Sequence, residues 1–92
     1  MISFVQGKVI SNDGNALVVL TAGGVGYKIS VKPDSIVNYQ VNSEVELRTY
    51  MSVSENAMNL YGFEDEASQE LFTHFLSVSG IGPKSALHML SL

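Results

Sequence analysis

The chain has 92 residues, of which 46% are hydrophobic and 15% charged, and it contains no cysteine. This composition excludes a disordered chain, a disulfide framework and a thiolate metal site, and the length suits one small domain plus the start of another. Five Lys and Arg against nine Asp and Glu give a formal net charge of -4, which argues against a generally basic nucleic-acid-wrapping surface.

The first strands are predicted by short apolar stretches between turn residues. Phe4–Ile10 predicts the first strand, and Gly7 within it predicts a bulge or a sharp bend. Ala16–Leu20 follows a polar turn and predicts the second strand. Apolar and polar residues alternate from Val25 to Val31, which predicts a third strand with one buried face.

A longer connection, beginning at Pro33, separates the third strand from the fourth and predicts a single helical turn or an irregular loop. Alternation resumes from Val45 to Val53, and Ala57–Phe63 follows a polar turn, so these segments predict strands four and five. Five strands in this arrangement favour a closed Greek-key barrel of the OB type, because closure leaves no exposed sheet edge. The predicted fold is therefore mainly β, with an OB-fold domain over residues 1–63.

From residue 64 the apolar period changes to three and four residues, which is typical of an amphipathic helix. A first helix is predicted from about Asp65 to Ser79, with acidic residues at its start, where the helix dipole favours them. Gly80–Gly82 breaks this helix, and Pro83 starts a second one. No helix stop follows, so we expect the second helix to continue through Leu92 and residues 64–92 to be the incomplete start of a second, helical domain.

The segment around the glycine turn carries the strongest functional signal. Gly80, Ile81 and Gly82 join two helices, and Lys84 lies in the first turn of the second, which is the pattern of a helix-hairpin-helix motif. Glycines let a backbone approach a phosphate closely, helix-start amides can donate to it, and a lysine adds positive charge. The alternative is a simple glycine turn between antiparallel helices.

Nothing in the sequence indicates catalysis, a cofactor or a metal site. No Ser-His-Asp, Cys-His or paired-carboxylate pattern stands out, and His74 and His88 fall on different predicted helices. Met51, Met58 and Met89 are expected to fill the core. No apolar run approaches the roughly 20 residues of a membrane helix, so we expect a cytoplasmic protein without membrane contact.

The whole chain resembles the amino-terminal part of the RuvA family. The motifs that carry the resemblance are, in order, Met1-Ile2, Gly23-Gly24-Val25-Gly26-Tyr27, Leu60-Tyr61-Gly62-Phe63, Leu71-Phe72 and Gly80-Ile81-Gly82-Pro83-Lys84-Ser85-Ala86-Leu87. The resemblance implies an OB-like first domain, a second domain with two helix-hairpin-helix motifs, of which this chain holds the first, and a mobile third domain that contacts the RuvB motor.

The resemblance also implies a function. It implies structure-selective, sequence-independent binding of four-way (Holliday) junction DNA by a homotetramer that recruits the RuvB ATPase for branch migration in recombination and repair, with the RuvC resolvase as a further partner. The subunit itself would be non-catalytic. Gly80, Ile81, Gly82 and Lys84 would contact DNA.

In the family, two acidic residues at the tip between strands four and five form a pin at the centre of the junction. The matching residues here are Glu55 and the neutral Asn56, so a tetramer would bring four carboxylates together instead of eight. By its sequence alone, this tip is an ordinary polar turn.

Two other functions stay open from the sequence. A generic OB module for single-stranded nucleic acid would use exposed aromatic side chains as stacking platforms, with Tyr27, Tyr50 and Tyr61 as candidates, although a packing role is expected for each. A purely structural assembly domain would leave DNA contacts to other parts of a longer protein.

Overall fold

The computed structural model describes all 92 residues, and it contains a closed five-stranded barrel followed by two helices. The elements are β1 (Phe4–Asn12), β2 (Ala16–Leu20), β3 (Gly26–Ser30), a 3-10 turn (Ile36–Asn38), β4 (Glu44–Val53), β5 (Met58–Phe63), α1 (Glu66–Leu76) and α2 (Pro83–Met89). The strand order around the barrel is β1-β2-β3-β5-β4, and β4 pairs back with β1. The predicted mainly-β, OB-like barrel with carboxy-terminal helices is confirmed.

The interior of the barrel is apolar and is supplied by one face of each of the first four strands and by the connection before β4. Its buried residues are Val5, Val9, Leu17, Val19, Ile29, Val31, Ile36, Tyr39 and Leu47. The strands pair antiparallel except for β3 and β5, which are parallel. This single parallel pair closes the barrel and places β5 beside β3.

The irregularity in β1 lies at Ile10 and not at Gly7, so of the two alternatives predicted for Gly7, a bulge or a sharp bend, the bulge is wrong. The pairing of β1 with β2 shifts register between Val9 and Ser11, which leaves Ile10 as the extra residue. Gly7 is paired in regular register with β4. Glycine is needed there for another reason, because a Cβ atom would collide with the carbonyl oxygen of Leu20 on β2.

An aromatic cluster joins the helices to the outer face of the barrel. Phe72 of α1 is fully buried, and its ring centroid lies 4.8 Å from that of Phe63, 5.3 Å from Tyr50 and 5.6 Å from Tyr61. Gly62, between the two β5 aromatics, faces the barrel interior, where a Cβ would lie 2.6 Å from Ile29 Cγ2. Because side chains alternate along a strand, β5 contributes to both packed regions.

Acidic residues lie at the start of α1 as predicted, with Glu66 in its first turn and Asp65 immediately before it. The Asp65 carboxylate is the N-cap and accepts a hydrogen bond from the Ser68 backbone N–H at 2.7 Å. This hydrogen bond lowers the pKa of Asp65. The other end of α1, at Leu76, comes three residues before the predicted end at Ser79.

Two further expectations are wrong. The second helix ends at Met89 and does not run through Leu92, because the last backbone N–H groups bond to carbonyls three residues back instead of four. The Ser91 hydroxyl donates to the Asp34 carboxylate at 3.1 Å. Met58 is 68% exposed and does not fill the core, since it lies at the base of the hairpin that joins β4 and β5. Neither helix has the length and apolar character required to cross a membrane.

Replacing Phe72 with alanine should lower the free energy of unfolding by about 3–5 kcal/mol, because a large cavity would open between the helices and the barrel. Denaturant unfolding measures this change. Leu71→Ala is the matched control on the same helix, since Leu71 is 46% exposed, and it should cost about 1 kcal/mol or less. Equal losses for the two variants would show that Phe72 does not anchor the helices.

Candidate nucleic-acid interface

The turn between α1 and α2 forms a tight corner built on two glycines with different backbone conformations. Gly80 has a φ of 87°, which side chains rarely tolerate. Gly82 is extended, with φ -90° and ψ 174°, and it is the N-cap residue of α2. Pro83 follows at the first helical position, where its missing N–H leaves no hydrogen bond unmade.

The structure brings the four predicted hairpin residues to this corner but orients them differently. Gly80, Gly82 and Lys84 are exposed. The Ile81 side chain is half-buried and packs against the aromatic cluster, and its backbone N–H donates to the Val78 carbonyl at 3.2 Å. Ile81 therefore anchors the corner, while the two glycines and the lysine face solvent.

Several backbone N–H groups at the corner remain free to donate. Those of Gly82, Lys84 and Ser85 make no hydrogen bond within the chain. Free amides at the start of a helix carry a partial positive charge, and together with an ammonium group they can bind an anionic oxygen. The corner therefore has the chemistry of an anion-binding surface.

Glu55 and Asn56 precede β5, at the exposed tip of the β4–β5 hairpin. The tip is closed by a hydrogen bond from the Ser54 backbone N–H to the Ala57 carbonyl, with a donor–acceptor distance of 2.8 Å. No salt bridge involves Glu55. The predicted pin residues thus lie on the β4–β5 hairpin, whereas the predicted hairpin residues lie on the turn between α1 and α2.

The positive charges of the chain differ in whether they are engaged. Arg48 donates from Nε to Gln69 at 2.9 Å, and Lys32 lies 3.7 Å from the Asp34 carboxylate. Lys8, Lys28 and Lys84 make no salt bridge. These three ammonium groups carry a positive charge without an acidic partner in the chain.

A cleft with a volume of about 680 Å³ lies between the barrel and α2. Lys84 and His88 of α2 and Lys28 of β3 contribute to its walls, together with the Asp13 turn and the first residues of β5. The His88 ring donates from Nδ1 to the Lys84 carbonyl at 3.0 Å. The sequence pattern did not indicate this cleft, because its walls come from segments distant in the chain.

The three tyrosines considered as stacking platforms are not free for that role. Tyr61 is buried, and its burial raises the pKa of its hydroxyl. Tyr50 packs edge-on against Phe72, and Tyr27 packs against the barrel core. The predicted packing role is confirmed for all three.

The fold defines a class of protein: a small OB-like barrel with two helices, joined by a glycine corner, packed on its outer face. A family model described as the RuvA N terminal domain matches residues 1–62. The chain therefore belongs to the RuvA family.

Curated relatives cover the whole chain. The Holliday junction branch migration complex subunit RuvA of Halothermothrix orenii is 43% identical over 99% of this chain and 46% of its own length. The proteins of the same name from Mycobacterium tuberculosis and Thermotoga maritima are 39% and 37% identical, over 100% and 99% of this chain and 46% and 48% of their own lengths. The chain thus spans about half the length of the curated relatives it matches.

Substituting the two hairpin glycines should separate their roles. Gly80→Ala should lower the free energy of unfolding by about 1–2 kcal/mol, because alanine is strained at a φ of 87°. Gly82→Ala should change it by about 0.5 kcal/mol or less, since its backbone is extended and no atom lies within 4 Å of an added Cβ. Denaturant unfolding of both variants tests this, and a larger loss for Gly82→Ala would contradict the assigned geometry.

Proposed function

We propose that the chain binds four-way DNA junctions as the junction-binding part of a homotetrameric scaffold. In this proposal the complete protein recruits the RuvB ATPase motor, works alongside the RuvC resolvase, and is itself non-catalytic. Membership of the RuvA family and the relatives' name, Holliday junction branch migration complex subunit, support this role. The observation that carries it is the exposed corner of Gly80, Gly82 and Lys84 with its free amides.

We propose that the barrel over residues 1–63 is an OB-fold domain and that residues 64–92 begin a helix-hairpin-helix DNA-binding domain. The hairpin would hold a phosphate oxygen through its free amides and the Lys84 ammonium group. Glycine at positions 80 and 82 leaves no side chain to keep the phosphate away. Ile81 would act by holding the corner in place, since its own amide is already bonded to Val78.

This mode of contact would be independent of DNA sequence. Amides and an ammonium group that reach phosphate oxygens touch no base edge, so they cannot distinguish one base pair from another. Selectivity for a junction must then come from geometry, through the positions in which a symmetric assembly holds several hairpins. The net charge of -4 is compatible with this, because only the local charge near each phosphate contact matters over a screening length of about 8–10 Å.

We propose that Glu55 and Asn56 form the central pin of the assembly. Four copies of Glu55 would repel phosphates that approach the centre and would disfavour a continuous duplex there. Asn56 adds no charge, so this repulsion is weaker than in relatives with two acids. Val53 and Met58 lie opposite each other at the base of the tip and are 63% and 68% exposed. An exposed apolar pair at this place supports a central position of the tip, where other copies of the chain would cover the pair.

The principal test compares binding of the chain to a four-way junction, a duplex and a single strand of matched sequence. The junction should bind most tightly in a gel-shift assay. Lys84→Gln should weaken this binding and lower the slope of log affinity against log salt by about 0.9, the value of one phosphate contact on duplex DNA. Lys8→Gln removes the same charge from an exposed position on β1 and should leave the slope unchanged.

Preference for single strands would favour a generic OB module. No binding to any of the three DNAs would favour a structural assembly domain. An unchanged slope in Lys84→Gln would remove Lys84 from the site.

Glu55→Gln should strengthen binding to plain duplex and thereby reduce the preference for a junction, because the repulsion at the centre would be lost. Glu70→Gln, which neutralises an exposed carboxylate on α1, is the matched control and should leave the preference unchanged. Competition between labelled junction and unlabelled duplex measures the effect. The same preference in wild type and Glu55→Gln would contradict the role of the pin.

A further inference from the structure

We propose that the cleft between the barrel and α2 holds a second stretch of the DNA backbone and that Lys28 contacts one of its phosphates. The inference rests on the proposed function and extends it from the hairpin to the barrel. It assigns a DNA-contacting role to β3 of the OB-like domain, which the hairpin motif does not include. The occupant is one sugar-phosphate strand that continues from the hairpin toward the β4–β5 tip.

The geometry of the sheet places Lys28 on this path. Its neighbour Ile29 is fully buried inside the barrel, so the Lys28 side chain points outward, and it is exposed. The parallel pairing of β3 with β5 matches Ile29 with Leu60 and Ser30 with Tyr61. Lys28 therefore lies beside the half of β5 that leads to the tip.

The second wall of the cleft comes from α2. Lys84 and His88 are four residues apart, one helical turn, and both line the cleft. Lys84 thus belongs at once to the exposed hairpin corner and to the cleft wall. A strand bound at the hairpin can enter the cleft without leaving the reach of this lysine.

The charge inside the cleft is opposite in sign to that of the whole chain. Two of the five Lys and Arg residues line it, whereas only one of the nine Asp and Glu residues, Asp13, does so. The local sum is therefore +1 against a total of -4. Asp13 accepts hydrogen bonds from the Asn15 and Ala16 backbone N–H groups at 2.9 and 2.8 Å and forms no salt bridge with Lys28.

The size and lining of the cleft fit a polar, anionic occupant. Its volume of about 680 Å³ lies within the range of roughly 300–1,000 Å³ typical of ligand clefts. Asn15 and Asn59 add side-chain amides that can donate to phosphate or sugar oxygens. Only 6 of its 15 lining residues are hydrophobic, which disfavours an apolar peptide or helix.

The test measures junction binding of the 92-residue chain as wild type, Lys28→Gln, Lys84→Gln and Lys8→Gln across a range of salt concentrations. Lys28→Gln should lower the slope of log affinity against log salt by about 0.9. Between 50 and 200 mM salt, the variant should therefore lose about 3.5-fold less affinity than wild type. Lys8→Gln is the control for a general effect of charge. Thermal unfolding should show that Lys28→Gln is folded, since Lys28 is exposed.

Amide NMR during a junction titration gives a second readout that also detects weak binding. Shifts at Lys28 and Asn59 in wild type, reduced in Lys28→Gln, support the cleft as a strand path. If Lys84→Gln weakens binding but Lys28→Gln behaves like Lys8→Gln, the cleft proposal is overturned and the hairpin proposal stands. If wild type shows neither binding nor junction-dependent shifts, the proposed function itself fails.

Discussion

The packing of Phe72 against the outer face of β5 is the contact on which the relation between barrel and helices depends. β5 can serve two packed regions because its side chains alternate: Tyr61 and Phe63 face the helices, while Gly62 lets the strand lie against the barrel core. The ring of Phe72 fills the space between them. Since α1 is held at this point, the glycine corner and α2 take a defined position against the barrel, and the cleft acquires two fixed walls.

The same arrangement places charges of opposite sign near β5, which itself carries none. The strand begins next to the exposed tip that carries Glu55, and its last residues pack against the helices. Lys84 of α2 lines the same cleft as the first residues of the strand. Surface charges are screened within about 8–10 Å in salt, so each end of the strand presents its own local sign to a partner. An acidic chain can therefore carry a local negative charge at Glu55 and a local positive charge at Lys84 on the same surface.

Glycines illustrate how one residue type meets different physical requirements. Gly80 is required by a positive φ, which turns the chain sharply out of α1. Gly7 and Gly62 have ordinary backbone angles and are required because a side chain would collide with a neighbouring strand or the core. A sequence shows that flexibility or space is needed at such positions, but it does not show which of the two.

Local patterns in the sequence determined the strand segments, the start of α1 directly after Asp65 and the glycine corner before Pro83, because alternation, capping and turn chemistry act over only a few residues. The tertiary structure decided what depends on distant segments: the bulge at Ile10, the inward turn of Ile81, the exposure of Met58 and the meeting of Lys28 with Lys84 across one cleft. Burial and proximity are set by which element covers another. Here they follow from the parallel pairing of β3 with β5 and the docking of α1; the apolar period of α1 shows that one face is buried but not which strand covers it.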